Sequence, residues 1–255
     1  MTRIICIASG KGGVGKTTLV ANLTAALAQF NRSVVAVDGN TTTSNLGIHF
    51  GIPLYPVTLQ DVMRKKASLR RAIYHHPAGF RIIPADVSLR KLMLPDTDAF
   101  MDVLYRFVGD ADFVLIDSAA GLGKEAKVAL ESADEVLTVT NPDMPSLTDA
   151  VKITKVASRY ETRNLGVIVN RVRGEKHEVS LDGIERFMKL PVVGRVPEDR
   201  HVRAAIASRQ PVVLYNPYSP AARNIMAIAA WLAGEDYAAK TGLLERLGRL
   251  LGRPG

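Results

Sequence analysis

Short apolar runs rich in β-branched residues recur along the chain, each followed by a longer stretch in which apolar residues return every three or four positions. That alternation is the pattern of βαβ units around a parallel sheet. Strands are predicted at residues 3–8, 33–38, 80–85, 112–117, 135–141, 165–170 and 192–197. Few polar residues interrupt them, as expected of strands covered on both faces. Helices are predicted at 16–30, 58–65, 96–107, 123–132, 146–160, 181–189, 201–208 and 220–233. The expected fold is therefore α/β: a doubly wound, mostly parallel sheet of about seven to eight strands flanked by helices. Residues 1–235 form the expected core domain and 236–242 a linker. Residues 243–255 form a C-terminal amphipathic tail helix.

The 255 residues are 47% hydrophobic and 23% charged, the balance of a globular protein and not of a disordered or fibrous one. Cys6 is the only cysteine and sits inside the first apolar run, which excludes a disulfide framework and a cysteine metal cage. A reducing cytoplasm is expected. The apolar stretch 4–8 is too short for a signal-peptide core, and no window approaches the roughly 18 apolar residues of a spanning helix. A formal net charge of +8 makes an acidic surface, whether lipid or nucleic acid, a fitting partner.

Residues 10–17 read GKGGVGKT, the G-x-x-x-x-G-K-[ST] pattern, placed between a predicted strand and a predicted helix. Gly12, Gly13 and Gly15 let the backbone curl so that its N–H groups, with those of Val14 and Thr18, face phosphate oxygens. The helix N-terminus that follows adds its positive dipole end. Lys16 is placed to bridge the β- and γ-phosphates and Thr17 to ligate Mg²⁺. Asp117 ends the buried run DFVLID, at the strand edge where ligands of open α/β sheets gather, and is the expected anchor of the water-coordinated Mg²⁺. Residues 118–121, ending in Gly121, are placed to wrap the γ-phosphate.

With these motifs in view, the sequence resembles the deviant Walker A ATPases of the MinD and ParA type, nearest to the MinD branch. The extra lysine, Lys11, in GKGGVGKTT carries the resemblance, with VDGNTTTSNLG, DFVLIDSAAGL, TVTNPDMPSLTDA, VIVNR and VPED extending it over nearly the whole chain. The resemblance implies that Lys11 reaches across an ATP-dependent homodimer to the partner's phosphates while Lys16 serves its own nucleotide. It implies that Asn170, Arg171, Pro197, Glu198 and Asp199 take part in nucleotide binding, with the adenine contacted by Asn170 and 197–199. It also makes Asp38 and its loop the first switch beside the attacking water, and 117–121 the second. The family usually shows Asp-x-Asp in the first switch; here the second acid is Asn40. An amide keeps the shape of a carboxylate but cannot accept a proton, so hydrolysis of bound ATP is expected to be slow.

In the tail, Leu243, Leu244, Leu247, Leu250 and Leu251 share an arc of about 120° on a helix, with Arg246, Arg249 and Arg253 off it. An interfacial anchor on anionic membrane needs that division, and so does a helix packed on its own core. The MinD resemblance favours the anchor, and with it a peripheral position at the inner face of the cell membrane. An unnamed protein cargo or activator is implied as a further partner. The basic run 63–76, with Arg64, Lys65, Lys66, Arg70 and Arg71, reads as a solvated helix face. His75 and His76 read as surface loop residues without metal-ligand spacing. A ParA-like protein whose dimer binds DNA is the rival reading, which the leucine face argues against. An iron–sulfur carrier on the same fold would need cysteines that the chain lacks.

Overall fold

The computed structural model describes residues 1–41, 44–52, 55–86 and 96–238. Eight strands form one sheet: β1 (Arg3–Ala8), β2 (Val34–Asp38), β3 (Tyr74–His75), β4 (Arg81–Ile83), β5 (Phe113–Asp117), β6 (Glu135–Thr140), β7 (Arg163–Val172) and β8 (Val192–Pro197). Their order is β3-β4-β2-β5-β1-β6-β7-β8, and every pairing is parallel except β3 with β4. The doubly wound, mostly parallel sheet expected from the sequence is thus present.

The unbroken apolar runs follow from helices on both faces. On β1, Ile5 and Ile7 enter one core layer while Ile4, Cys6 and Ala8 enter the other, and β2 divides Val34 and Ala36 from Val35 and Val37 in the same way. Helices α1 (Lys16–Gln29), α2 (Leu46–His49), α9 (Arg200–Ala207), α10 (Val212–Tyr215) and α11 (Pro220–Ala233) cover the first layer. The second layer lies under α3 (Leu59–Met63), α4 (Leu69–Ala72), α5 (Thr97–Tyr105), α6 (Lys124–Glu131) and α7 (Met144–Arg159). A satellite cluster joins α7 to α8 (Leu181–Met188). Among the described residues no helix is long and apolar enough to cross a membrane.

The differences from expectation have local causes. Strand β7 runs to ten residues because polar Arg163, Asn164 and Arg171 extend it; they pair by backbone and carry no apolar signal. Within it Gly166 has φ +147, and a Cβ there would meet the Pro191 carbonyl oxygen at 2.6 Å. Helices α2, α4 and α10 are four residues each, too short to show a period. His75 belongs to the antiparallel edge strand and not to a loop. His76 is half-buried, its ring stacked on Phe80 with centroids 4.3 Å apart and its Nδ1 accepting from the Ala78 N–H, so the surface reading is corrected for it. Burial lowers its pKa.

Helix α11 stops at Gly234, which takes the left-handed cap at φ 69. The expected linker begins tied to the core, since Tyr237 sets its ring edge-on to Phe30 at 6.2 Å. The leucines Leu243, Leu244, Leu247, Leu250 and Leu251 lie outside the described residues.

Candidate functional site

The site grows from the C-terminal ends of β1, β2 and β5, where a parallel sheet leaves its carbonyl ends open. After β1 the chain turns through a loop to Gly15, the N-cap of α1. Gly13 and Gly15 adopt φ +81 and +93, left-handed values that cost an L-side chain about 1 kcal/mol or more. Close contacts add to the requirement. A Cβ on Gly10 would lie 2.3 Å from the Asp149 backbone on α7, and one on Gly15 would lie 2.2 Å from Asn170 Nδ2. The loop is therefore wedged between β7 and α7 with no room for side chains at either point.

Helix α1 begins without a side-chain cap and without an acidic residue in its first turn. Its leading N–H groups and dipole end are left for an anion to satisfy. Within this loop the two lysines have opposite environments. Lys16 is 7% exposed and its Nζ lies 2.6 Å from Asp117 Oδ1, itself 1% exposed. Lys11 is exposed, and its ammonium makes no ion pair among the described residues.

Asp38 and Asp117 are register partners on β2 and β5, so two buried carboxylates stand side by side. Burial, reinforced by the charge of Asp117, pushes the Asp38 pKa up to about 7, against the lowering effect of hydrogen bonds from Ser44 and the Asn40 and Leu46 N–H groups. Ser44 Oγ donates at 2.6 Å and the Asn40 N–H at 3.1 Å. Asn40 is half-buried at the mouth of this pair. The Gly121 N–H donates to the Ser9 carbonyl at 2.9 Å, bringing the second loop against the first. The hydroxyl of Thr41 bonds the carboxylate of Glu125 in the first turn of α6, tying the loop after β2 to the start of that helix. The sequence reading passed over Glu125 because nothing in its spacing marks it.

The titration of Asp38 has a measurable consequence for the nucleotide-free protein. In the unfolded chain this carboxyl ionises near 3.8, whereas in the folded protein it holds its proton to about pH 7. Between those values the folded state binds more protons, so the contribution of Asp38 is complete below pH 3.8 and lost as pH rises through 7. The loss amounts to at most about 4 kcal/mol. Asp38→Asn should remove it, making the variant more resistant to urea than the parent at pH 8, with a smaller difference at pH 5. Equal differences at both pH values would contradict this assignment.

Beside Gly15 and Thr18 opens a cavity of about 270 Å³. Asn170, Arg171, Pro197, Glu198 and Asp199, the residues that the family resemblance assigns to nucleotide binding, line it together. The sequence reading missed Leu19, Val196, Val202, Arg203, Ile206 and Ile225, which also form the wall. Val202 and Ile206 sit four apart on α9, a spacing that marks one helix face. Asn170 Nδ2 donates to the Val14 carbonyl at 2.7 Å, so this side chain also braces the phosphate loop. Asp199 contributes shape more than free oxygens. Its carboxylate accepts from the His201 N–H at 2.8 Å and the Ala221 N–H at 3.1 Å, holding the starts of α9 and α11. Burial raises its pKa, but these hydrogen bonds outweigh burial and leave it lowered.

The donor set fits a magnesium nucleotide. Thr17 is half-buried at the start of α1, and the buried carboxylate of Asp117 stands beside Lys16. Mg²⁺ is usually held by one or two protein oxygens together with waters and substrate phosphates, and a hydroxyl and a carboxylate at this strand edge supply such a pair.

Comparison with known proteins gives the same assignment. Residues 5–212 match the family profile described as the CobQ/CobB/MinD/ParA nucleotide binding domain. A protein of Methanocaldococcus jannaschii described as an uncharacterized ATP-binding protein is 44% identical over 240 residues, covering 94% of this chain and 91% of the relative. The septum site-determining protein MinD of Pyrococcus horikoshii OT3, solved with Mg-ADP, superposes with a TM-score of 0.87 at 36% identity, over 91% of this chain and 96% of that one. A chain from the MinC:MinD cell division complex of Aquifex aeolicus gives 0.83 at 29% identity, over 94% and 98%.

Proposed function

The chain belongs to the CobQ/CobB/MinD/ParA nucleotide-binding family, among its MinD-like ATPases, and we propose that it binds Mg-ATP, closes into a nucleotide-sandwich homodimer and thereby attaches to membrane and positions partner proteins. The observation that carries this reading is the contrast between two lysines of one loop, Lys16 buried against Asp117 and Lys11 exposed. A buried lysine paired with a carboxylate can transfer its ammonium to phosphate. An exposed lysine beside the phosphate site is placed to neutralise phosphate charge across a two-fold interface.

In the bound state Thr17 and, through water, Asp117 would hold Mg²⁺, as the Mg-ADP of the Pyrococcus relative suggests. Magnesium supplies neutralisation of charge on the β- and γ-phosphate oxygens. Lys16 and the uncapped N–H groups of α1 hold the phosphates, while the 270 Å³ cavity takes the base. Asp38 and Asn40 border the face from which water attacks. Asn40 orients that water without accepting its proton. Turnover is accordingly slow.

Two measurements test this. In light scattering the parent chain should be monomeric with ADP and dimeric with ATP, and Lys11→Ala should remain monomeric with ATP while still binding it; a parent that stays monomeric at saturating ATP would overturn the sandwich. In a phosphate-release assay, Asn40→Asp should raise turnover by about tenfold or more, since a placed general base typically contributes at least that. An unchanged or lower rate would show that Asn40 does not limit hydrolysis.

A further inference from the structure

A second cavity, of about 580 Å³, lies on the other core layer, between the α3–α4 turn and α5. Its floor is apolar: Val62, Met63, Leu69 and Ile73 on one side, Ala99 and Val103, one turn apart on α5, on the other. Lys65, Arg70 and Arg106 rim it, against one carboxylate, Asp102, among the described lining residues. All three cations are exposed and make no ion pair among the described residues. The turn that presents Lys65 is fixed in place, with Lys65 at φ 58, its N–H on the Val62 carbonyl at 2.8 Å and the Lys66 N–H on the Asp61 carbonyl at 2.8 Å. Lys66 and Arg71 add exposed positive charge alongside. A solvated helix face, the reading that the basic run allowed from sequence alone, leaves this apolar floor without a use.

We propose that this groove docks an acidic amphipathic helix of a partner protein. Apolar side chains at i, i+3, i+4 and i+7 fit a floor made by two facing elements, and carboxylates between them meet the three cations. Charge complementarity selects this occupant over the others on hand. The chain's own tail carries Arg246, Arg249 and Arg253 and would be repelled. A bilayer surface needs protruding apolar side chains, whereas these line a recess. The groove also shares a helix with the nucleotide site, because Phe100 of α5 stands behind the first switch, where a Cβ on Gly39 would lie 3.6 Å from its ring. The docking itself does not depend on the nucleotide chemistry proposed above.

The test uses the full chain and a fluorescein-labelled peptide of about 18 residues, long enough to form a helix, with leucines at i, i+3, i+4 and i+7 and glutamates elsewhere. A peptide with lysines in place of the glutamates is the control. Anisotropy should show saturable binding of the acidic peptide at least about tenfold tighter than the basic one. Arg70→Glu combined with Arg106→Glu should reverse that preference while leaving ATP affinity unchanged, which shows that the variant is folded. Absence of saturable binding, or a preference that survives the double reversal, overturns the proposal. Sedimentation of the chain ending at Thr241 with anionic vesicles, abolished by the same reversal, would overturn it in favour of a lipid-binding groove.

Discussion

Lys16→Ala should bind Mg-ATP at least about 100-fold more weakly than the parent chain, because hydrogen bonds to charged groups contribute about 1.5 to 3 kcal/mol each and this ammonium would make more than one to phosphate. The same substitution should also lower stability, for a reason unrelated to nucleotide. Asp117 is 1% exposed and pairs with Lys16 at 2.6 Å, while its register neighbour Asp38 is another buried acid. Removing one partner of such a pair typically costs about 3 to 5 kcal/mol, since the remaining charge is buried without compensation. The double variant Lys16→Ala with Asp117→Asn separates the two effects. It should recover much of the lost thermal stability and none of the ATP binding. Calorimetric titration and a melting curve on the three proteins make the check. ATP affinity within threefold of the parent in Lys16→Ala would end the phosphate-loop assignment, and a double variant no more stable than the single would show that the ion pair is not the source of the loss.

How much of this was legible beforehand divides along physical lines. Residues 10–18 announced themselves because a loop that must wrap phosphate leaves few choices: glycine where φ is positive, as at Gly13 and Gly15, or where backbone crowds, as at Gly10. The strand ends at Asp38 and Asp117 were readable because apolar runs stop at a charge. The cavity beside Gly15 was legible only in part. Asn170 and 197–199 came from family resemblance, whereas Val202, Ile206 and Ile225 are apolar residues whose core and site duties look alike in sequence. The bracing roles of Asn170 and Asp199 were not legible, since hydrogen bonds to Val14 and Ala221 join segments far apart in the chain. The groove between α4 and α5 escaped for the same reason: a basic run reads as solvated until its apolar neighbours are seen to face another helix.

The second large effect concerns the tail. Fully burying a leucine contributes at most about 1.5 to 3 kcal/mol, and an interfacial helix buries its leucines only partly while its ordering costs conformational entropy. One copy of 243–255 should therefore hold a bilayer weakly. Two copies joined by an ATP sandwich make the second insertion intramolecular, a gain that can reach about 10² to 10⁴ in avidity. Arg246, Arg249 and Arg253 add about 1 kcal/mol each where the lipid is anionic. Nucleotide would thus move the protein between solution and membrane without altering the tail. The most direct measurement is co-sedimentation with anionic liposomes under ATP and under ADP, for the full chain, the chain ending at Thr241, and Leu247→Glu. The full chain should sediment with ATP and stay in solution with ADP, while both variants stay in solution under either nucleotide. Sedimentation of the truncated chain equal to that of the full chain, or binding by the full chain that ignores nucleotide, would contradict an ATP-driven membrane switch.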